Sequence, residues 1–286
     1  MTRLTARDFD PRVLDLFDRY VHGQLSRRDF IAAAGAGVLA SMAPSFAAPL
    51  VAADDPRLRA AYVEYPSPQG YGTVRGYLVQ PAGAAGKLPA VLVVHENRGL
   101  NPHIEDFARR LALEGFLAFA PDALFPLGGY PGNEDKAREL FARLDQARTR
   151  ADFVAASQAL KAHPAANGKV GVVGFCYGGG MANYLATVQP DLAAAVPFYG
   201  AQPPASEVPK IKAPLLIHDA ENDARIRAGW PAYEAALRAA GVRYEYHLYP
   251  GVEHGFNNDT TPRYDEAAAR LAWRRTVAFL RQELAA

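Results

Sequence analysis

The chain has 286 residues, with 31 Lys+Arg against 30 Asp+Glu and a formal net charge of +1. That balance excludes the basic stripe expected of a nucleic-acid binder, and a composition that is 50% hydrophobic and 21% charged excludes a disordered chain. The single cysteine, Cys176, excludes an intramolecular disulfide and thiol-rich zinc sites.

In chain order, the first feature is Ser26-Arg27-Arg28-Asp29-Phe30-Ile31, followed by an apolar run rich in Ala and Gly from Ile31 to Met42. The run is shorter than the roughly 20 residues of a spanning helix. A charged region, a short apolar stretch and a small-residue site at Ser45-Phe46-Ala47 read as a secretory address. The arginine pair with Phe30 resembles a twin-arginine export signal. That resemblance implies contact with the export machinery, delivery of the folded protein to the periplasm, and no stable membrane anchor after cleavage. On this reading residues 1–47 are the signal and 48–286 a single domain. The alternative is a cytoplasmic amphipathic helix with Val13, Leu14, Leu16 and Phe17 on its apolar face.

Ala61–Tyr65 and Thr73–Val79 alternate in polarity around a turn rich in Pro and Gly, which predicts an antiparallel hairpin. Leu88–His95 is a continuous apolar run, as in a strand buried on both faces. Pro102–Glu114 carries a helical stripe of Ile104, Phe107, Ala108 and Leu111, stopped by Gly115. A strand at Phe116–Ala120 leads into a Gly- and Pro-rich loop from Asp122 to Gly132, then a long helical pattern over Asn133–His163, broken at most once. Strands follow at Lys169–Gly174, Ala193–Phe198, Pro214–His218 and Val242–Tyr249. Helices at Met181–Val188, Pro231–Ala240 and Tyr264–Leu284 alternate with them. This order predicts an α/β fold with a mainly parallel central sheet and helices on both faces.

The chemistry-bearing residues fall just beyond strand ends, the edge where ligands gather in open α/β sheets. Gly174-Phe175-Cys176-Tyr177-Gly178 has the form of a nucleophile elbow, with Cys in the nucleophile position. Asp219-Ala220-Glu221-Asn222-Asp223 follows one later strand, and Glu253-His254-Gly255-Phe256 follows the next. A nucleophile, an acid and a histidine in that order match the α/β-hydrolase triad. Cys176 is therefore the expected nucleophile, His254 its acid–base partner and Asp223 the residue that orients the imidazole. Asp223 is preferred to Asp219 because it lies in the loop rather than continuing the strand. Backbone N–H groups of Tyr177 and Asn97 are the expected oxyanion donors. Glu96 stands beside them, with a salt bridge to Arg98 as its alternative role. Arg98, Tyr130 and Phe256 are candidate substrate contacts. No metal or cofactor is expected, since His95, Glu96 and His103 lack ligand spacing on one helix. A redox-active thiol and a non-catalytic binding module on a hydrolase fold are the alternative functions.

Taken together, HENRGL at 95–100, FLAFAPDAL at 116–124, GKVGVVGFCYGGG at 168–180, ENDARI at 221–226 and VEHGFNND at 252–259 resemble the dienelactone hydrolase (carboxymethylenebutenolidase) family. The resemblance implies the α/β-hydrolase fold and cleavage of a small ester or enol lactone through a thioester on Cys176. It also implies that Glu96 restrains Cys176 in the resting enzyme, and that two arginines hold a substrate carboxylate. This chain departs from that last pattern. No Arg follows His254 until Arg263, and the segment before the long helix is acidic, leaving Lys136 or Arg138 as substitutes, or Arg98 or Arg225 as another source of positive charge.

Overall fold

The computed structural model of the protein describes residues 4–42 and 50–285; the cleavage candidate at 45–47 lies outside the described residues. Strands β1 (Leu58–Ser67) and β2 (Gly72–Pro81) form the antiparallel hairpin, in register from Leu58 opposite Pro81 to Ser67 opposite Gly72. With β3 (Leu88–Val94), β4 (Leu117–Pro121), β5 (Ala166–Phe175), β6 (Ala194–Phe198), β7 (Leu215–Ala220) and β8 (Tyr244–Tyr249) they build one eight-stranded sheet, ordered β1-β2-β4-β3-β5-β6-β7-β8. β2 meets β4 antiparallel, and every pair from β4 to β8 is parallel.

The helices are α1 (Pro11–Val21), α2 (Arg27–Ala34), α3 (Ala36–Met42), α4 (Pro102–Leu113), α5 (Glu134–Phe141), α6 (Gln146–Ala162), α7 (Tyr177–Val188), α8 (Ala224–Arg227), α9 (Trp230–Ala239) and α10 (Glu266–Leu284). Their starts are written in short polar side chains. Asn101, Asp145 and Asp265 accept hydrogen bonds from the backbone N–H groups of Ile104, Ala147 and Ala268, satisfying donors the first turn leaves open. Asp145 also explains the break in the long pattern, because it caps a new helix where α5 has just ended.

Alternation along β3 divides the core. Ala90, Leu92 and Val94 pack with Phe153 of α6, Leu185 of α7 and Leu237 of α9 on one face. Val91 and Val93 pack with Phe107 of α4 and Leu280 of α10 on the other. Each such aliphatic side chain contributes about 1.5–3 kcal/mol by leaving water.

A third, smaller cluster is N-terminal: Leu14, Phe17, Tyr20 and Val21 of α1 close on Phe30 of α2 and on Met42. The Phe30 ring lies 5.4 Å from Tyr20 and 6.1 Å from Phe17. This layer meets the main body through polar contacts. Tyr20 Oη donates to Asp135 at 2.6 Å, Asn97 Nδ2 donates to the Val21 carbonyl at 2.8 Å, and Arg263 Nη1 lies 3.1 Å from Asp18 Oδ1. Arg138 donates to the Tyr20 carbonyl and stacks 3.9 Å above the Tyr20 ring. Among the described residues no helix is long and apolar enough to cross a membrane.

Candidate active site

β5 runs through Phe175 directly into α7, so Cys176 sits at the bend, with φ 53° and ψ −109°. A left-handed backbone at a non-glycine residue is strained and persists only where its surroundings enforce it. Here the neighbouring strands enforce it. A Cβ on Gly178 would collide with the carbonyl oxygens of Val94 and His95, and one on Gly174 would strike the Gly178 carbonyl. Tight packing across β3 and α7 thus forces the turn that lifts the sulfur beyond the sheet edge. The helix begins at Tyr177 rather than Met181, so its open first N–H groups lie beside Sγ.

Asp223 follows β7 and caps α8, one carboxylate oxygen accepting from Ile226 N–H at 3.2 Å. The other hydrogen-bonds His254 Nδ1. A carboxylate can only accept, so Nδ1 carries the proton and Nε2 is the free basic nitrogen. That Nε2 is buried and has no hydrogen-bond partner among the described residues. Burial works against the Asp223 carboxylate, but His254 holds its pKa below the ordinary value. Asp219, the rejected alternative, is buried next to Asp223 and pushed up to about 7, mainly by desolvation.

A second histidine reaches the sulfur. His22, at the C-terminal end of α1, places Nε2 3.4 Å from Cys176 Sγ and its ring centroid 4.7 Å from that of His254. Burial opposes a Cys176 thiolate, but the charge of His254 and the hydrogen bond from His22 outweigh it and bring the thiol down to about 5. His254 moves the other way: burial lowers it, and Cys176 and Asp223 more than compensate. The ligating atoms of His22, Cys176 and His254 lie within 4.8 Å of one another, the one cation-sized donor set found among the described residues. Arg225 Nη2 lies 3.1 Å from His22 Nε2.

Cys176, His22, Asn97, Tyr177 and Arg225 line a cleft of about 610 Å³ that continues past Met181, Tyr184 and Gln202. A second cleft of about 1010 Å³ runs along α1 and reaches Asp223, His254 and Arg263. Arg225 borders both.

The structure thus brings together Cys176, His254, Asp223, Asn97 and Tyr177, while the other sequence candidates make their contacts with other residues. Glu96 accepts from Asn258 Nδ2 at 2.8 Å and lies 3.8 Å from Arg98. Burial opposes its charge, but Arg98 and nearby cations hold it ionised. The group at hydrogen-bond distance from Sγ is His22, not Glu96. Arg98 does not face the cleft, because its charge is matched by Glu134 at 2.9 Å. Tyr130 donates to the same Glu134 at 2.9 Å. Phe256 is fully buried, 4.8 Å from Tyr249 and 5.6 Å from Tyr199. Of the candidate residues for a carboxylate clamp, Arg138 is engaged by α1, as is Arg263, the first arginine after His254, whereas Arg225 lines the cleft. Sequence reading missed His22; the only trace of it was Asp18 four residues earlier, on the same helix face.

A mainly parallel sheet with a cysteine at the strand-to-helix bend and an aspartate and a histidine beyond later strands has the α/β-hydrolase architecture. The chain belongs to the dienelactone hydrolase family, whose model matches residues 74–284, and is a hydrolase of that family. A separate YqhI-like family model matches residues 1–38. Among curated relatives, the Escherichia coli K12 "Putative carboxymethylenebutenolidase" is 30% identical over 257 residues, covering 85% of this chain and 94% of that one. The "Putative hydrolase fragment YghX" of the same organism is 64% identical over 91 residues, 32% of this chain and 78% of its own length. Among solved structures, a "Putative Dienelactone Hydrolase" from Klebsiella pneumoniae superposes with a TM-score of 0.69 at 31% identity, covering 78% of this chain and 99% of that one.

Proposed function

We propose that the protein hydrolyses a small carboxylic ester or enol lactone through a thioester on Cys176. The observation that carries this reading is the Asp223–His254 hydrogen bond beside a strained, cleft-lining cysteine whose sulfur lies within 4.8 Å of a His254 ring nitrogen. The Cys176 thiol gives its proton to His254 Nε2, and the Sγ thiolate attacks the substrate carbonyl carbon, forming the C–S bond as the C=O π pair moves to oxygen; the oxyanion is held by the N–H groups of Tyr177 and Asn97. Collapse breaks the C–O bond, and the alkoxide or enolate takes the proton from His254 Nε2. Neutral His254 then removes a proton from water as it attacks the thioester. The second collapse breaks the C–S bond and returns thiolate and acid. With Arg138 and Arg263 engaged by α1, the cations that line the cleft beside Cys176 are Arg225 and Arg150.

The test is an ester and lactone panel with wild type and Cys176→Ala. The expected loss is about 10³-fold or more in kcat/KM. Equal rates in the two proteins overturn the reading and leave a redox thiol or a binding module.

For location, we propose export by the twin-arginine route to the periplasm, supported by the Arg27–Arg28 pair standing exposed on α2. Fractionation of cells making wild type and Arg27→Lys/Arg28→Lys, with intact mass of the product, tests it. Retention of both proteins in the cytoplasm at full length favours the alternative, an address-free N-terminal helix.

A further inference from the structure

We infer that His22, carried by α1 and oriented by Asp18, is a second catalytic base at Cys176 in the full-length chain, a role that ends wherever residues 1–47 are removed on export. The inference deepens the thiol-hydrolase reading and rests on it for the role of the sulfur.

The geometry repeats the arrangement at His254. His22 Nδ1 lies 2.7 Å from the Asp18 carbonyl oxygen and 3.3 Å from Asp18 Oδ1. Both oxygens only accept, so Nδ1 carries the proton and Nε2 offers its lone pair towards Sγ. Cys176 therefore faces two imidazoles, each with Nδ1 tied to an aspartate. In either pathway the S–H bond breaks, the electron pair stays on sulfur, and the proton forms an N–H bond at Nε2 of His22 or His254.

The surroundings suit a base at this position. His22 caps the C-terminal end of α1, where the open carbonyls favour an imidazolium. Burial disfavours the cation, but Asp18 and Cys176 raise the pKa of His22 above its ordinary value. The charged groups facing the pair are Asp18 from α1, Asp223 and Arg225 from the loop and helix after β7, and Arg263 beyond His254. Across the cleft stand Arg150 and Glu207, one of each sign. Arg225 can only donate, and at 3.1 Å it competes with the thiol for the Nε2 lone pair, which it must release before the thiol proton is taken. The contacts of Arg263, Asn97, Asp135 and Arg138 with α1 keep the imidazole in place.

The test is the pH dependence of Cys176 alkylation by iodoacetamide in the full chain, for wild type, His22→Gln, His254→Ala and the double variant. This reads the sulfur directly and needs no substrate, so it succeeds or fails independently of the ester panel. Losing a charged partner at this distance shifts a pKa by about one unit or more. The expected midpoint rises by about that much in His22→Gln. It stays lower in His254→Ala than in the double variant, because His22 still takes the proton. Coincident curves for wild type and His22→Gln, or for His254→Ala and the double variant, overturn the inference. Asp18→Asn gives the same readout should His22→Gln fail to fold: an upward midpoint supports the inference, and an unmoved one overturns it.

Discussion

At the residue scale, the site is governed by where protons sit around one sulfur. The thiol lies near 5 because two imidazoles outweigh the cost of burial. Since kcat/KM reports ionisations of the free enzyme, it should rise with pH through about 5, as the thiolate forms. It should fall only above the ordinary imidazole range, because Cys176 and Asp223 raise His254. A pH–rate profile measures both limbs, and an acid limb near the usual thiol value would contradict the thiolate assignment. Cys176, Asp223 and His254 were legible in sequence because glycine spacing and chain order betray a bend that only a few residue types tolerate. The neighbours of Glu96, Arg98, Tyr130 and Phe256 were not, because a sequence does not state which charge meets which. In space Glu96 meets Asn258, and Arg98 and Tyr130 meet Glu134.

At the scale of elements, the elbow is the join between β5 and α7, and its tolerance is set by backbone rather than side chains. A methyl group at Gly178 meets two carbonyl oxygens of the β3 end, neither able to move without disturbing the sheet. Gly178→Ala should therefore cost more than about 2 kcal/mol, well above a surface substitution, as read by urea unfolding. A variant within experimental error of wild type would mean that the turn has slack. The N-terminal helices show the opposite limit of legibility. Apolar residues at Leu14 and Phe17 predicted an amphipathic helix, and α1 buries both. The surface it covers was beyond reach, because the contact between His22 and Cys176 joins residues 154 positions apart. Should cleavage follow Ala47 after export, it would remove α1 and leave His254 as the only base beside the sulfur.

At the scale of the whole molecule, alternating strands and helices foretold the parallel sheet because buried runs such as Val91–Val94 read the same in either face of the core. The sheet nevertheless has ends, and one of them is unusual in length. β1 closes the order as a ten-residue strand, with Arg59, Ala60, Ala61, Tyr62 and Glu64 exposed. Its outer backbone groups form a template for another copy, and charged side chains are the common protection against such pairing. Arg59→Thr/Glu64→Thr should convert a freely dispersed enzyme into one that stacks strand to strand at high concentration. Light scattering across a dilution series reads this; identical scattering from parent and variant would assign the protection elsewhere. On that account two charges on the rim guard the outer strand of the hairpin, on residues that line neither cleft.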